Sequence, residues 1–314
     1  GPLRCLIEQS RVERAFPFEF DRAGHQDMAV ALAPFDGEVA AGAPFAATLQ
    51  GTGGGMLQVD LHTNDGVVHH LIDVYPVTKE STAADYQLLA RTLIGQLQES
   101  EKVPILVGGS MLYLAAVLNN FEFPGRNPDL RAELEGELLN IGPEALHEKL
   151  AALDPTAASR IEPKNGRRIV RALEIIAVTG KPFAAALPET PSSWQPVLQI
   201  GLNGQRSLLV ERLNRRVLNM WQQGLVDEVQ QLLKVGLREG KTASQAIGYA
   251  QAIAQVDGIV SEEQAIAETQ QLTARYARRQ MSWFRRDPRI TWYDINQENF
   301  ATDAVKLALS QFTN

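Results

Sequence analysis

Between Leu272 and Arg286 the chain carries five arginines, no lysine and no carboxylate, interleaved with Tyr276, Gln280, Trp283 and Phe284. At 3.6 residues per turn, Arg275, Arg278 and Arg279 share one helical face, and Gln280, Trp283 and Arg285 continue around the following turns. Guanidinium groups bind phosphate bidentately and stack on bases, and aromatic rings supply further flat surfaces. A solvated surface helix is the plain alternative. The interleaved Gln, Trp and Phe favour recognition of a polyanion.

A second basic constellation runs Asn165-Gly-Arg-Arg-Ile-Val-Arg-Ala-Leu-Glu174. Arg167, Arg168 and Arg171 lie three and four residues apart, so they can converge near one turn while Ile169, Val170 and Leu173 pack inward. Converging guanidiniums suit a phosphate-rich partner. The alternative is an Arg171–Glu174 ion pair on a solvated face, where it contributes little. A third candidate is Gly108-Gly109-Ser110, which opens an apolar helix and would set backbone amides and a hydroxyl at a helix N-terminus, facing an anion. Equally, it is a tight turn with Ser110 as the cap.

These groups need elements to position them. His70–Val74 and Val103–Gly109 read as short buried parallel strands, separated by a helical pattern over Ala83–Glu99 and followed by a helix over Ser110–Leu118. Helical periodicity then covers Asp129–Leu139, Pro143–Leu153, Gly166–Thr179, Arg206–Gln223, Val226–Val235, Ala243–Val256 and Ser261–Trp283. Val197–Leu202 and Ile290–Ile295 read as further strands, and proline-rich Pro182–Pro196 reads as a linker or lid-like loop. Before position 67 the pattern is weak: a short helix over Gln26–Leu32, a strand start at Gly37-Glu38-Val39, and an Ala/Gly-rich stretch over Ala40–Gly55 without either period.

With 314 residues and 45% hydrophobic content the chain can bury one sizeable core or two modest ones. A formal charge of −7 argues against indiscriminate coating of nucleic acid, so any RNA contact must come from local patches. The single cysteine, Cys5, excludes an internal disulfide framework and a cysteine-based zinc site. No membrane span or signal peptide is indicated, and a reducing, cytoplasmic setting and a monomer are expected.

Arg278-Arg279-Gln280-x-x-Trp283-Phe284-Arg285 resembles the closing signature of the tRNA dimethylallyltransferases, also called tRNA isopentenyltransferases. The resemblance continues through Val68-His-His-Leu-Ile-Asp73, Thr82-Ala-Ala-Asp-Tyr86, Val107-Gly-Gly-Ser-x-Leu-Tyr-Leu114, Asn127-Pro-Asp-Leu-Arg131 and Arg168-x-x-Arg171-Ala-Leu-Glu174. Asp154-Pro155, Gly224-Leu225-Val226-Asp227-Glu228 and Ala246-Ile247-Gly248-Tyr249 extend it, so that it covers about residues 67–295. It implies an α/β fold, a P-loop-kinase-like parallel sheet core with a largely helical inserted lobe. The expected parts are a core over 1–125, a mostly helical tRNA-facing region over 126–284 that includes one core strand near 197–202, and a closing strand and helix over 285–314.

The implied reaction moves a dimethylallyl group from dimethylallyl diphosphate to N6 of adenosine 37, beside the anticodon, with Mg²⁺. The implied partner is the tRNA anticodon stem-loop. Contacts to it are expected from Ser110, Arg131, Arg167, Arg168, Arg171, Gly248, Tyr249, Arg278, Arg279, Gln280, Trp283 and Arg285. The diphosphate is expected near Gly24, His25 and Gln26, with Arg171 and Arg275.

The N-terminal part departs from the family. No Gly-x-x-x-x-Gly-Lys-Ser/Thr loop follows a strand, although such a loop supplies amides, a Lys charge and a metal-binding hydroxyl. If Asp27–Leu32 is set on the family's first helix, His25 and Gln26 stand at the Lys and Ser/Thr positions. Ala43 then stands where an Asp is thought to take the N6 proton. No catalytic residue can be assigned, and a catalytically impaired tRNA-binding homologue is the alternative to an active enzyme.

Overall fold

The computed structural model describes residues 28–32, 62–64, 67–72, 74–100, 102–183 and 192–312. Among these, four strands form one parallel sheet in the order β4-β1-β5-β6, where β1 is Met28–Leu32, β4 Ile105–Val107, β5 Val197–Asn203 and β6 Ile290–Asp294. All three pairings are parallel, with registers such as Ala29 to Ile105, Val30 to Gln199 and Gly201 to Trp292. A separate antiparallel pair joins β2 (His62–Asn64) to β3 (Val67–His69).

The helices, in chain order, are α1 Ala83–Glu99, α2 Met111–Leu118, α3 Pro128–Leu153, α4 Pro155–Arg160 and α5 Gly166–Thr179. After β5 come α6 Arg206–Gln222, α7 Leu225–Lys234, α8 Tyr249–Val256 and α9 Glu262–Phe284, and α10 Phe300–Phe312 follows β6. The chain divides into two compact units, one formed by Gly1–Asn119 with Ser193–Asn314 and the other by Asn120–Ser192. The fold is therefore α/β, with a helical segment inserted between β4 and β5.

In the first unit, Ala90, Ile94, Leu114, Val117, Leu118, Phe284 and Ile290 form one buried cluster, flanked by Trp194, Trp283 and Trp292. Fully burying each large apolar side chain contributes roughly 1.5–3 kcal/mol. Gly201 makes this packing possible, because a Cβ there would come within 2.6 Å of the Trp292 ring. A second cluster joins α6, α7, α8 and α9 through Val217, Trp221, Val229, Ala252 and Ala265. The inserted unit has its own core of Leu134, Leu146, Leu150, Ile161, Ile169, Val170 and Leu173.

Three expectations need correction. The Gln26–Leu32 helix is not formed at Met28–Leu32, which is instead a strand between two parallel neighbours. A run of five apolar residues is too short to show a periodicity that separates a strand from a helix turn. The parallel strand expected at His70–Val74 is displaced to Val67–His69 and runs antiparallel. Leu71 adopts a left-handed backbone (φ 62°), which an extended ladder cannot contain. The Ala243–Val256 helix is divided: Ala243–Gln245 is a 3₁₀ turn, and Gly248 with φ 98° separates it from α8. The other expected helices match to within a residue or two at each end, with Gly142 (φ 82°) marking the break between the two halves of α3. Gly37–Val39, Ala40–Gly55 and Ala43 lie outside the described residues, as does most of the proline-rich loop.

Candidate nucleic-acid interface

Helix α9 starts with a capping box: the Ser261 hydroxyl accepts from Gln264 N–H, and the Gln264 side chain accepts from Ser261 N–H. Ala265, Thr269, Thr273, Ala277, Gln280 and Phe284 are its buried positions, spaced for one inward face. The opposite face carries Arg275, Arg278, Arg279, Arg285 and Arg286, all exposed. Arg275, Arg278, Arg285 and Arg286 form no ion pair among the described residues.

One flank of α9 is pinned to the turn before α2. Gln280 is 2% exposed, and its Nε2 donates to the Gly109 carbonyl at 2.8 Å. The Tyr276 hydroxyl is hydrogen-bonded to the Ser110 hydroxyl, and the Arg279 guanidinium lies 5.7 Å from the Tyr276 ring. Burial pushes the Tyr276 phenol up, and the Ser110 hydrogen bond and the Arg279 charge offset only part of that rise. Ser110 occupies the cap position of α2 without capping it. The first helical bond runs from Leu114 N–H to the Ser110 carbonyl at 2.9 Å, so the amides of Met111, Leu112 and Tyr113 precede the ladder. The turn therefore lies on the Tyr276–Gln280 flank of α9, with the first amides of α2 outside the helical ladder.

Two residues of the expected row point elsewhere. Gln280 faces the interior and holds Gly109, so it positions the turn instead of joining the exposed cations. Trp283 is half-buried against Phe284, Ile290 and Trp292, and so is largely a core residue.

Helix α5 is arranged differently. The Asn165 side chain caps it by accepting from Arg168 N–H at 3.3 Å, and Gly180 ends it in the left-handed conformation. Glu174 is fully buried on its inner face. Its Oε2 accepts from Arg171 at 2.9 Å and Arg131 at 3.2 Å, and its Oε1 accepts from Asn127 N–H at 3.2 Å. Burial alone would raise the Glu174 carboxyl, but these donors and charges outweigh it and hold the group below the usual carboxylate range. Arg171 also donates to the Pro124 carbonyl at 3.0 Å.

The expected convergence of three arginines on phosphate thus resolves into Arg171, with Arg131, held by a buried carboxylate, and Arg167 and Arg168 exposed. Gly248 and Tyr249 are likewise buried: Gly248 N–H donates to Gln251 Oε1 at 2.9 Å, and the Tyr249 hydroxyl meets the Glu228 carboxylate. Sequence reading missed Arg91 and Arg289, whose guanidiniums satisfy backbone and side-chain acceptors around Asn119. No motif marks either one, because their partners are distant in sequence. Gly24, His25 and Gln26 lie outside the described residues. Among the described residues no group of three or more His, Cys, Asp or Glu could hold a metal ion, and no helix is long and apolar enough to cross a membrane.

A family model described as IPP transferase matches residues 56–287. The tRNA dimethylallyltransferase of Salinispora tropica is 47% identical over 286 residues, covering 91% of this chain and 89% of that protein. The corresponding protein of Thermobifida fusca is 52% identical over 242 residues, covering 77% and 76% of the two chains. Among solved structures, the full-length tRNA isopentenylpyrophosphate transferase of Bacillus halodurans superposes with a TM-score of 0.55 at 38% identity, covering 79% of each chain. A eukaryotic dimethylallyltransferase acting on tRNA gives a TM-score of 0.63 at 22% identity over 78% of this chain and 65% of its own, a likeness of fold.

Proposed function

The chain belongs to the IPP transferase family and is a tRNA-prenylating enzyme; on that premise we propose that it prenylates N6 of adenosine 37 in the anticodon stem-loop, using dimethylallyl diphosphate. In this reaction the adenine N6 attacks the allylic carbon, the carbon–oxygen bond to diphosphate breaks, diphosphate leaves and N6 gives up one proton to a base. Charge neutralisation at the leaving diphosphate is the largest demand, followed by alignment of the allylic carbon with N6. The base must also be turned out of its stack, since N6 is otherwise out of reach.

The observation that carries the reading is the exposed arginine face of α9, free of carboxylate partners among the described residues and pinned beside the Ser110 turn, in a chain of net charge −7. Arg278, Arg279 and Arg285 supply phosphate contacts along the stem-loop, Ser110 and the first amides of α2 take a phosphate at the turn, and Arg167 and Arg168 contact the same RNA. Arg275 serves the diphosphate side. Gln280 and Tyr276 hold this surface in place, and Arg131 and Arg171 act through Glu174. Mg²⁺ would be held chiefly by the diphosphate oxygens, in keeping with its preference for substrate phosphates and water over all-protein cages. The enzyme acts as a monomer in the cytoplasm, where its tRNA is found.

His25, Gln26 and Ala43 motivate a second reading, a homologue that binds tRNA without transfer. The extent of the match to dimethylallyltransferases favours the transferase. The purified chain, incubated with dimethylallyl diphosphate, Mg²⁺ and unmodified tRNA, should yield the N6-dimethylallyl nucleoside by mass spectrometry. Binding without product would support the second reading. A gel shift with no preference for an adenosine-37 stem-loop over random RNA would overturn both.

A further inference from the structure

The segment between β3 and α1 lies against the loop that follows α7, and it fits there with no space to spare. Gly240 is the tightest point: a Cβ added to it would come within 1.9 Å of the Val77 carbonyl oxygen, and backbone cannot swing aside as a flexible side chain can. At Gly236, where φ is 92°, a Cβ would come within 2.7 Å of Thr78 Cγ2. The Val77 side chain packs on the cluster that joins α6 to α9. The segment is also closed on itself, because Lys79 N–H donates to the Pro76 carbonyl at 3.0 Å and the Lys79 ammonium lies 4.0 Å over the Tyr75 ring. Residues 75–81 thus form a strap seated on residues 236–242.

The end of the strap reaches the Ser110 turn. The Ser81 peptide is shared between two elements: its N–H donates to Thr242 Oγ1 at 3.2 Å, and its carbonyl accepts from the Tyr113 hydroxyl at 3.2 Å. Tyr113 stands in the first turn of α2, just after Ser110, and its ring meets the Tyr86 ring of α1 with centroids 5.4 Å apart. The turn is therefore held from two sides, by Gln280 and Tyr276 of α9 and, through Tyr113 and Ser81, by the loop after α7. Tethers from two elements restrict it in more directions than one can. Binding groups work only when the residues behind them hold them within about 0.5 Å of the productive geometry. We infer that Gly240 and Thr242 are positioning residues for tRNA binding: through the strap and Tyr113 they set the place of the Ser110 turn. This inference rests on the tRNA reading above, in which that turn takes a phosphate.

The test uses the full chain and two readouts, hydrogen exchange of the unliganded protein by mass spectrometry and steady-state kinetics. Thr242→Val removes the acceptor at nearly constant shape. It should speed exchange in residues 108–118 while α10 and the inserted unit exchange as before. KM for tRNA should rise by up to about tenfold, the most that one ordinary hydrogen bond contributes, with KM for dimethylallyl diphosphate unchanged. Thr242→Ser keeps the acceptor and should restore both properties. Tyr113→Phe breaks the next link in the same series, so it should resemble Thr242→Val, and the two together should do no worse than the stronger single change. Gly240→Ala should exceed either, because the strap must lift from the loop; if that variant does not fold, the Thr242 and Tyr113 variants still decide. Unchanged exchange in residues 108–118, exchange that rises evenly along the chain, additive effects in the double variant, or faster local exchange with unchanged KM for tRNA would each overturn the inference. Failure of the unsubstituted chain to bind any cognate tRNA would sink the functional reading instead, and hydrogen exchange would still decide whether the strap holds the turn.

Discussion

Helices α5 and α9 look alike as strings of arginine, and they use that charge in opposite ways. In α5 a carboxylate follows Arg171 at i+3, is fully buried, and draws in Arg171 together with Arg131 from α3. In α9 no carboxylate occurs between Leu272 and Arg286, and the arginines remain on the solvent face. The number of arginines in a segment is thus a poor measure of the cation available to a ligand. What decides is whether a carboxylate lies within reach on the inward side, where burial makes leaving it unpaired costly.

The largest effect that could break this contrast is on stability. Arg171→Ala leaves Glu174 buried with Arg131 as its remaining cation and should cost about 3 kcal/mol, whereas Arg278→Ala should stay within about 0.5 kcal/mol. Equal shifts in urea midpoint would show that the two helices do not differ as described. The pH dependence has a definite sign. Because the folded Glu174 carboxyl is held below its unfolded value of about 4.3, its contribution is fully present above that value and is lost as pH falls through the folded pKa. In Arg171→Ala, much of that acid-side loss should vanish from a denaturation series between neutral and acidic pH.

A smaller effect concerns tRNA. Arg278→Ala and Arg285→Ala should each weaken binding by about 1.5 kcal/mol and reduce the slope of log affinity against log salt by about 0.7 to 0.9. Arg171→Ala, measured where it remains folded, should leave that slope unchanged. A salt titration in which Arg171 alone altered the slope would reverse the assignment of the two helices. The smallest effect is at Gln280. Replacing it by Met removes the donor to the Gly109 carbonyl together with the buried, unpaired Oε1, so the stability cost should stay below about 1 kcal/mol. A cost of several kcal/mol by thermal melting would mean that Gln280 does more than tether the turn.

Elements with strong local signals were legible in the sequence. The bounds of α1, α5 and α9 follow from helical spacing, and the structure adds side-chain caps at Thr82, Asn165 and Ser261 that fix where each begins. Short apolar segments were legible in part: Val103–Gly109, Val197–Leu202 and Ile290–Ile295 read as strands and contain β4, most of β5 and all of β6, whereas Met28–Leu32 has too few residues to show a period, and its pairing partners lie far along the chain. The direction of single side chains on an amphipathic helix was only partly legible. Gln280 and Trp283 continue the arginine spiral in projection, yet Gly109 and the Trp292 cluster draw them inward. Arg91 and Arg289 had no local signature at all, since each matters through acceptors on another element.

The hydrogen bond between Asn120 N–H and the Ser192 carbonyl means that everything between those residues begins and ends at nearly one point in space. Such a segment has the topology of an oversized hairpin turn. A two-residue Asn-Gly turn, the favoured closure for paired antiparallel strands, could span the same gap. Residues 120–192 can therefore be lengthened, shortened or exchanged for a foreign module while β4 and β5 keep their places in the sheet, as domains with adjoining termini commonly tolerate. This junction is in this sense a grafting point, where one lineage of sheet can acquire a different recognition module without its strands being re-registered.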